Sequence, residues 1–160
     1  MSTGMEQLYQ QLILDHAKHP AHRGAQEAYD VEVHHVNPTC GDEVTLRVRV
    51  DDGNIAELTW TGQGCSISQA SASVMAQAVT GRPVDQALEL SSEFRELMDS
   101  RGELTGDWAQ RADDEDDPLG DAVAFVGVAR YPARIKCALL GWSAMKDAVA
   151  QAAADTEETR

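Results

Sequence analysis

The sequence predicts an α+β fold: a three-stranded antiparallel meander with helices packed on one of its faces. Three observations predict it. An apolar stripe at helical spacing near the N-terminus gives way to three runs of period two. Asp52-Gly53, between the last two of those runs, is a strong hairpin signal. After Gly64 the period returns to helical. A helix, a meander and then several helices sort into layers, with the helices covering the sheet.

Each element carries its own signals. Thr3 and Glu6 form a capping box for a first helix, whose apolar positions are Met5, Leu8, Tyr9, Leu12 and Ile13 and whose end is marked by Pro20. Tyr29, Val31 and Val33 alternate with polar residues, as do Val44, Leu46, Val48 and Val50, and then Ala56, Leu58 and Trp60. Behind Gly62-Gln63-Gly64, a second helical stripe runs through Ile67, Ala70, Val74, Met75 and Ala78 and closes at Gly81. Two shorter helical pieces are expected over 84–90 and 92–99, and a short helix over 119–128. Arg101 to Asp117 is polar and acidic with little periodicity, and reads as a surface insertion. Pro132 suits the first turn of a final helix, with Ile135, Ala138, Leu139, Trp142, Met145 and Val149 as its stripe. Residues from about 154 to 160 read as a flexible tail. No repeat or linker divides 1–160, so a single domain is expected.

The totals narrow the function classes. A 160-residue chain with 42% hydrophobic and 25% charged residues is ordinary for a globular protein with a real core. A net charge of −14 argues against nucleic acid and against an anionic membrane surface, both of which attract Lys and Arg. Charged residues interrupt every apolar run, and the first residues lack a basic region followed by an apolar segment. A cytoplasmic location is expected. The run Asp113-Asp114-Glu115-Asp116-Asp117 reads as a solvated loop.

Three cysteines, an odd number, make a disulfide framework improbable and leave metal binding, catalysis or simple burial. Cys40 sits between the first two strands, in a turn shaped by Pro38 and Gly41. Cys65 immediately precedes a helix, where the partial positive charge of the N-terminus faces its sulfur. Cys137 falls away from the stripe through Ile135, Ala138 and Trp142, and Arg134 shares its face. Asp42 lies two residues after Cys40, so one turn can aim both side chains at one ion. Three thiolates and a carboxylate suit tetrahedral Zn²⁺. Spacing alone does not separate that reading from two buried cysteines, an incidental thiol and a turn aspartate.

Three segments carry more than spacing: Asn37-Pro38-Thr39-Cys40-Gly41-Asp42, Gly62-Gln63-Gly64-Cys65-Ser66-Ile67-Ser68, and Arg134-Ile135-Lys136-Cys137-Ala138-Leu139-Leu140-Gly141-Trp142. With Leu8-Tyr9 through Asp15-His16 to Pro20, they resemble the IscU/NifU-type iron–sulfur cluster scaffold family, over roughly 6–148 and in one register. Two features resemble its SufU branch in particular. Lys136 stands where IscU-type scaffolds carry a histidine, and Arg101–Asp117 looks like the branch's insertion. The resemblance implies an IscU-like fold and a zinc-dependent sulfurtransferase that accepts sulfane sulfur from a SufS-type cysteine desulfurase, a pyridoxal-phosphate enzyme. It implies that Cys40, Asp42, Cys65 and Cys137 hold zinc. In the cycle it suggests, docking of the desulfurase releases Cys40, which attacks the outer persulfide sulfur, while Arg134 stabilises the thiolate. Downstream iron–sulfur assembly proteins would take the sulfur. The alternatives are a non-enzymatic scaffold for a nascent [2Fe–2S] cluster, against which Lys136 counts, and a structural zinc module.

Other residues read more plainly. His16, His19 and His22 are spaced by three, but Pro20 breaks the helix between them, and surface histidines are expected. His34 and His35 point to opposite faces of the first strand. Trp60 and Trp142 fit core stripes, whereas Trp108 lies in the insertion.

Overall fold

The fold is a computed structural model that describes residues 4–38, 41–102, 111 and 116–158. Its elements are α1 (Gly4–Lys18), β1 (Val31–Asn37), β2 (Asp42–Asp51), β3 (Asn54–Gln63), α2 (Ser66–Val79), α3 (Val84–Asp99), a 3₁₀ helix (Gly120–Arg130) and α4 (Pro132–Glu158). Among the described residues the strands form one antiparallel sheet in the order β1-β2-β3. The α+β meander expected from the alternation is therefore present. The Thr3–Glu6 cap, Cys40, Trp108, most of the insertion and the last residues of the tail lie outside the described residues.

Alternation places Val31, Val33, Val44, Leu46, Val48, Leu58 and Trp60 on one buried face. Helix α4 packs across β1 and β2 on that face, and α2 lies between α1 and α4. Phe94 of α3 stacks on Trp142 at 4.7 Å and meets Phe125 of the 3₁₀ helix edge-on at 5.9 Å, joining the helices into the same core. Both expected core tryptophans, Trp60 and Trp142, are buried.

The third strand departs from simple alternation. Arg49 pairs with Glu57 and Val50 with Ile55, so Ala56 is an extra residue in a β-bulge. The bulge resets the phase. Ile55 is buried with Leu58 and Trp60, and Ala56 is exposed.

The helices also differ from the periodic reading in three places. The pieces over 84–90 and 92–99 are one helix, because Ala87, Leu90, Phe94, Leu97 and Met98 form one uninterrupted stripe. At the intervening serines, the Ser92 hydroxyl donates to the Leu88 carbonyl at 3.3 Å rather than ending the helix. The segment after Leu119 winds as a 3₁₀ helix and runs on to Arg130. In α4 the buried side is centred on small residues: Gly141, Ala144 and Ala148 face inward, while Ile135 and Leu139 are half-buried. A Cβ on Gly141 would lie 3.1 Å from the Cα of Ala72, so α2 and α4 approach at glycine distance.

Polar ties connect these layers. His16 is not a surface histidine: Nδ1 lies 2.8 Å from Ser73 Oγ and Nε2 lies 3.0 Å from Asp121 Oδ2, joining α1, α2 and the 3₁₀ helix. His34 and His35 do face opposite ways. His34 stands near Glu43, whereas His35 reaches Asp147 of α4 at 3.0 Å. Hydrogen bonds from His35 and from Gln151 hold the Asp147 carboxyl below its ordinary range. Among the described residues no helix is long and apolar enough to cross a membrane.

Candidate metal centre

The site forms where the head of β2, the start of α2 and the second turn of α4 meet. β1 and β2 close at the Asn37–Asp42 pair, with Gly41 in the left-handed region at φ 73° and its N–H donating to the Asn37 carbonyl at 2.9 Å. That turn sets Asp42 at the head of β2 with its side chain inward, 1% exposed. Cys65 is the N-cap residue of α2, as the Gly-x-Gly-Cys pattern predicts. Its N–H donates to Asp42 Oδ1 at 3.0 Å, so the carboxylate satisfies the N-cap residue's own N–H, the donor that the glutamate of a capping box reaches elsewhere. Gly64 permits this approach, because a Cβ there would stand 2.5 Å from the same oxygen.

Cys137 enters from α4. It is fully buried, and it lies on the packed side of the helix. This corrects the wheel reading, which placed it away from the contact face by centring the stripe on Ile135, Ala138 and Trp142. Because Gly141, Ala144 and Ala148 define the real centre, Cys137 sits on the buried flank beside Ala138. Burial here does not remove it from the site: one ligand atom from each of Asp42, Cys65 and Cys137 lies within 4.8 Å of the others.

The chemistry of this donor set fits a cation. Asp42 Oδ2 is buried and has no hydrogen-bond partner among the described residues. A buried carboxylate oxygen without a donor is costly, and a positive ion is the partner that removes the cost. Two sulfurs beside it favour a borderline-soft metal such as zinc over a hard, all-oxygen ion. Cys40 lies outside the described residues. Arg134 is exposed on the first turn of α4, and among the described residues its guanidinium makes no ion pair.

The sequence reading overlooked Ser68. It is buried, its hydroxyl donates to the Cys65 carbonyl at 3.0 Å, and its oxygen lies 3.9 Å from the Cys65 sulfur. The available signal was a hydroxyl three residues after Cys65, the spacing that sets two side chains on one helix face.

An α+β domain that gathers a carboxylate and two thiols from the head of β2, the N-cap of α2 and the second turn of α4 into one cluster has the donor set of a candidate metal centre. The chain is a member of a known family of that architecture: residues 8–157 match the NifU-like N-terminal domain, and the chain belongs to that family. It is 39% identical over 151 residues to the zinc-dependent sulfurtransferase SufU of Bacillus subtilis, covering 94% of this chain and 95% of that one. It is 37% identical to the iron–sulfur cluster assembly scaffold protein IscU of Streptococcus pyogenes, covering 93% and 87%. Among solved structures, a protein of Fervidobacterium islandicum assigned as a SUF-system scaffold superposes with a TM-score of 0.75 at 32% identity, covering 91% of this chain and 99% of that one.

Proposed function

We propose that this protein is a zinc-dependent sulfurtransferase that accepts persulfide sulfur from a SufS-type cysteine desulfurase for iron–sulfur cluster assembly. The observation that carries the reading is the cluster of buried Asp42, half-buried Cys65 and buried Cys137 around a carboxylate oxygen that no described group satisfies. Cys40 would complete a four-donor zinc site with them, and the bound ion would keep the thiols deprotonated as ligands.

The chain's own residues divide the remaining work. Asp42 orients the Cys65 backbone through Oδ1. Cys40 is the acceptor: its thiolate attacks the outer sulfur of the donor persulfide, a new S–S bond forms on Cys40, and the donor's S–S bond breaks. The electron pair of the broken bond leaves on the donor's inner sulfur, and the transferred sulfur keeps its proton. Arg134, exposed three residues before Cys137, supplies a cation to the reacting thiolate. The Cys40 persulfide then passes to downstream iron–sulfur assembly proteins, and the reaction is cytoplasmic.

The alternative is a non-enzymatic scaffold on which a [2Fe–2S] cluster is built from the same thiols, the role named for the streptococcal relative. Lys136, exposed beside Cys137, offers no ligand for it.

The deciding experiment is a cysteine desulfurase assay with and without this protein, run beside metal analysis of protein purified without added iron. The transferase reading expects stimulation of the desulfurase, zinc in the purified chain, and loss of sulfur acceptance in Cys40→Ser. No stimulation, together with reconstituted cluster transfer to apo-proteins, would establish the scaffold instead.

A further inference from the structure

The geometry points to Arg23 and Gln69 as positioning residues of the metal centre, which together pin the Gly62-Gln63-Gly64 segment and thereby set the place of Cys65. The inference rests on the zinc reading of the site.

Gly62 and Gln63 pair with Val44 and Glu43 of β2, but among the described residues the other edge of β3 has no strand beside it, and Gly64 lies beyond the strand. Both glycines are required by close approach: a Cβ on Gly62 would collide with the Glu43 carbonyl, and one on Gly64 with the Asp42 carboxylate and the Ser68 hydroxyl. Larger side chains therefore cannot stiffen the segment from within, and glycine backbone is the most freely moving of all. Yet this segment carries the backbone directly into Cys65.

Arg23 and Gln69 add to the ladder a restraint on the Gly62 and Gly64 carbonyls. The chain around Arg23 is docked along the edge of β3. Gly24 N–H donates to the Trp60 carbonyl at 2.8 Å, Trp60 N–H to the His22 carbonyl at 3.2 Å, and Trp60 Nε1 to the Ala21 carbonyl at 3.0 Å. From that anchored base the guanidinium lies over the Trp60 ring, 5.5 Å from its centroid. Its Nη2 donates to the Gly62 carbonyl at 3.2 Å, and its Nη1 donates to Gln69 Oε1 at 3.1 Å. Gln69, one turn into α2, turns its Nε2 back to the Gly64 carbonyl at 2.9 Å. Both glycine carbonyls are thus held, and the two holding side chains are joined to each other. None of these bonds reaches Asp42, Cys137 or the Cys65 sulfur, so the pair acts through the backbone alone.

Removing groups that orient metal ligands costs about 10–100-fold in affinity, and solvent-exposed contacts such as these belong at the low end. The test uses the full chain, with zinc affinity read by chelator competition and ligand geometry read from the absorption of the cobalt-substituted protein. Arg23→Ala and Gln69→Ala should each weaken zinc about tenfold and alter the cobalt spectrum. Combined, they should weaken it by less than the product of the two, since they form one network. Arg23→Lys, which keeps the charge but loses the planar fork that spans the two acceptors, should fall between Arg23→Ala and the parent. Metal-free melting temperatures should match the parent's. Parent-like affinity in both single variants overturns the proposal and leaves the zinc reading standing. Metal-free melting that falls in step with affinity also overturns it, because the brace would then serve the fold alone. A parent protein that takes up no zinc overturns the zinc reading, and this proposal with it.

Discussion

At the scale of single residues, Asp42 has two oxygens in two different situations. Oδ1 accepts the Cys65 N–H, whereas Oδ2 is buried with no hydrogen-bond partner among the described residues. Asp42→Asn keeps an acceptor for the N–H and replaces the orphaned oxygen with a neutral group, whose burial is less costly than that of a charged one. The metal-free variant should therefore be more stable than the metal-free parent, by about 1 kcal/mol. With zinc bound the order should invert, because the variant loses a charged ligand and with it part of the binding free energy that stabilises the folded chain. Urea unfolding with and without zinc measures both orders. A metal-free parent that outlasts the variant would show that Oδ2 is satisfied by the protein.

At the scale of elements, the bulge in β3 determines which of two adjacent apolar residues matters. Ile55 faces the core opposite Val50, while Ala56 is the unpaired extra residue on the surface. Ile55→Ala should cost about 2–5 kcal/mol, the range for emptying a buried aliphatic site. Ala56→Thr should stay within about 0.5 kcal/mol of the parent, as exposed substitutions do. Chemical denaturation of the pair tests the register directly, since an unbroken alternation through Ala56, Leu58 and Trp60 would reverse the two results. Helix α4 teaches the same lesson about small residues. Gly141 against Ala72 brings α2 and α4 close enough for the Ser71 hydroxyl to donate to the Ala138 carbonyl at 2.6 Å. The two helices bearing Cys65 and Cys137 are thus held together immediately behind the site.

At the scale of the whole molecule, an acidic chain must manage its own repulsion, and Arg111 does so where the insertion meets α3. Its Nε and Nη2 donate to the two oxygens of Asp117 at 2.7 and 3.0 Å, and Nη2 also reaches Glu93 of α3 at 3.1 Å. Burial pushes the Asp117 carboxyl up, but the Arg111 hydrogen bond, the Leu119 N–H and the guanidinium charge outweigh it and hold the group below its ordinary 3.8. A carboxyl lowered in the folded state contributes stability that is present above the unfolded value and lost as the pH falls through the folded one. Arg111→Ala should accordingly cost about 1–2 kcal/mol at neutral pH. The gap to the parent should narrow as the pH drops below about 4. Unfolding curves across that range check it, and a gap independent of pH would place the effect in packing.

Much of this was legible without coordinates, and the division follows a physical line. Alternation in Val31 to Val50 and the stripes around Val74 and Trp142 foretold the sheet and the helices, because strand and helix periods are local properties of the backbone. The motifs around Asp42, Cys65 and Cys137 marked three residues that the fold brings together. What they did not reveal was the reset at Ala56, the inward turn of Cys137, the structural role of His16, or the brace formed by Arg23 and Gln69. Each of those depends on how closely two distant segments approach. Sequence periodicity records which side chains share a face; only the packed chain decides, through glycine- and alanine-sized gaps, which face is buried and what lies against it.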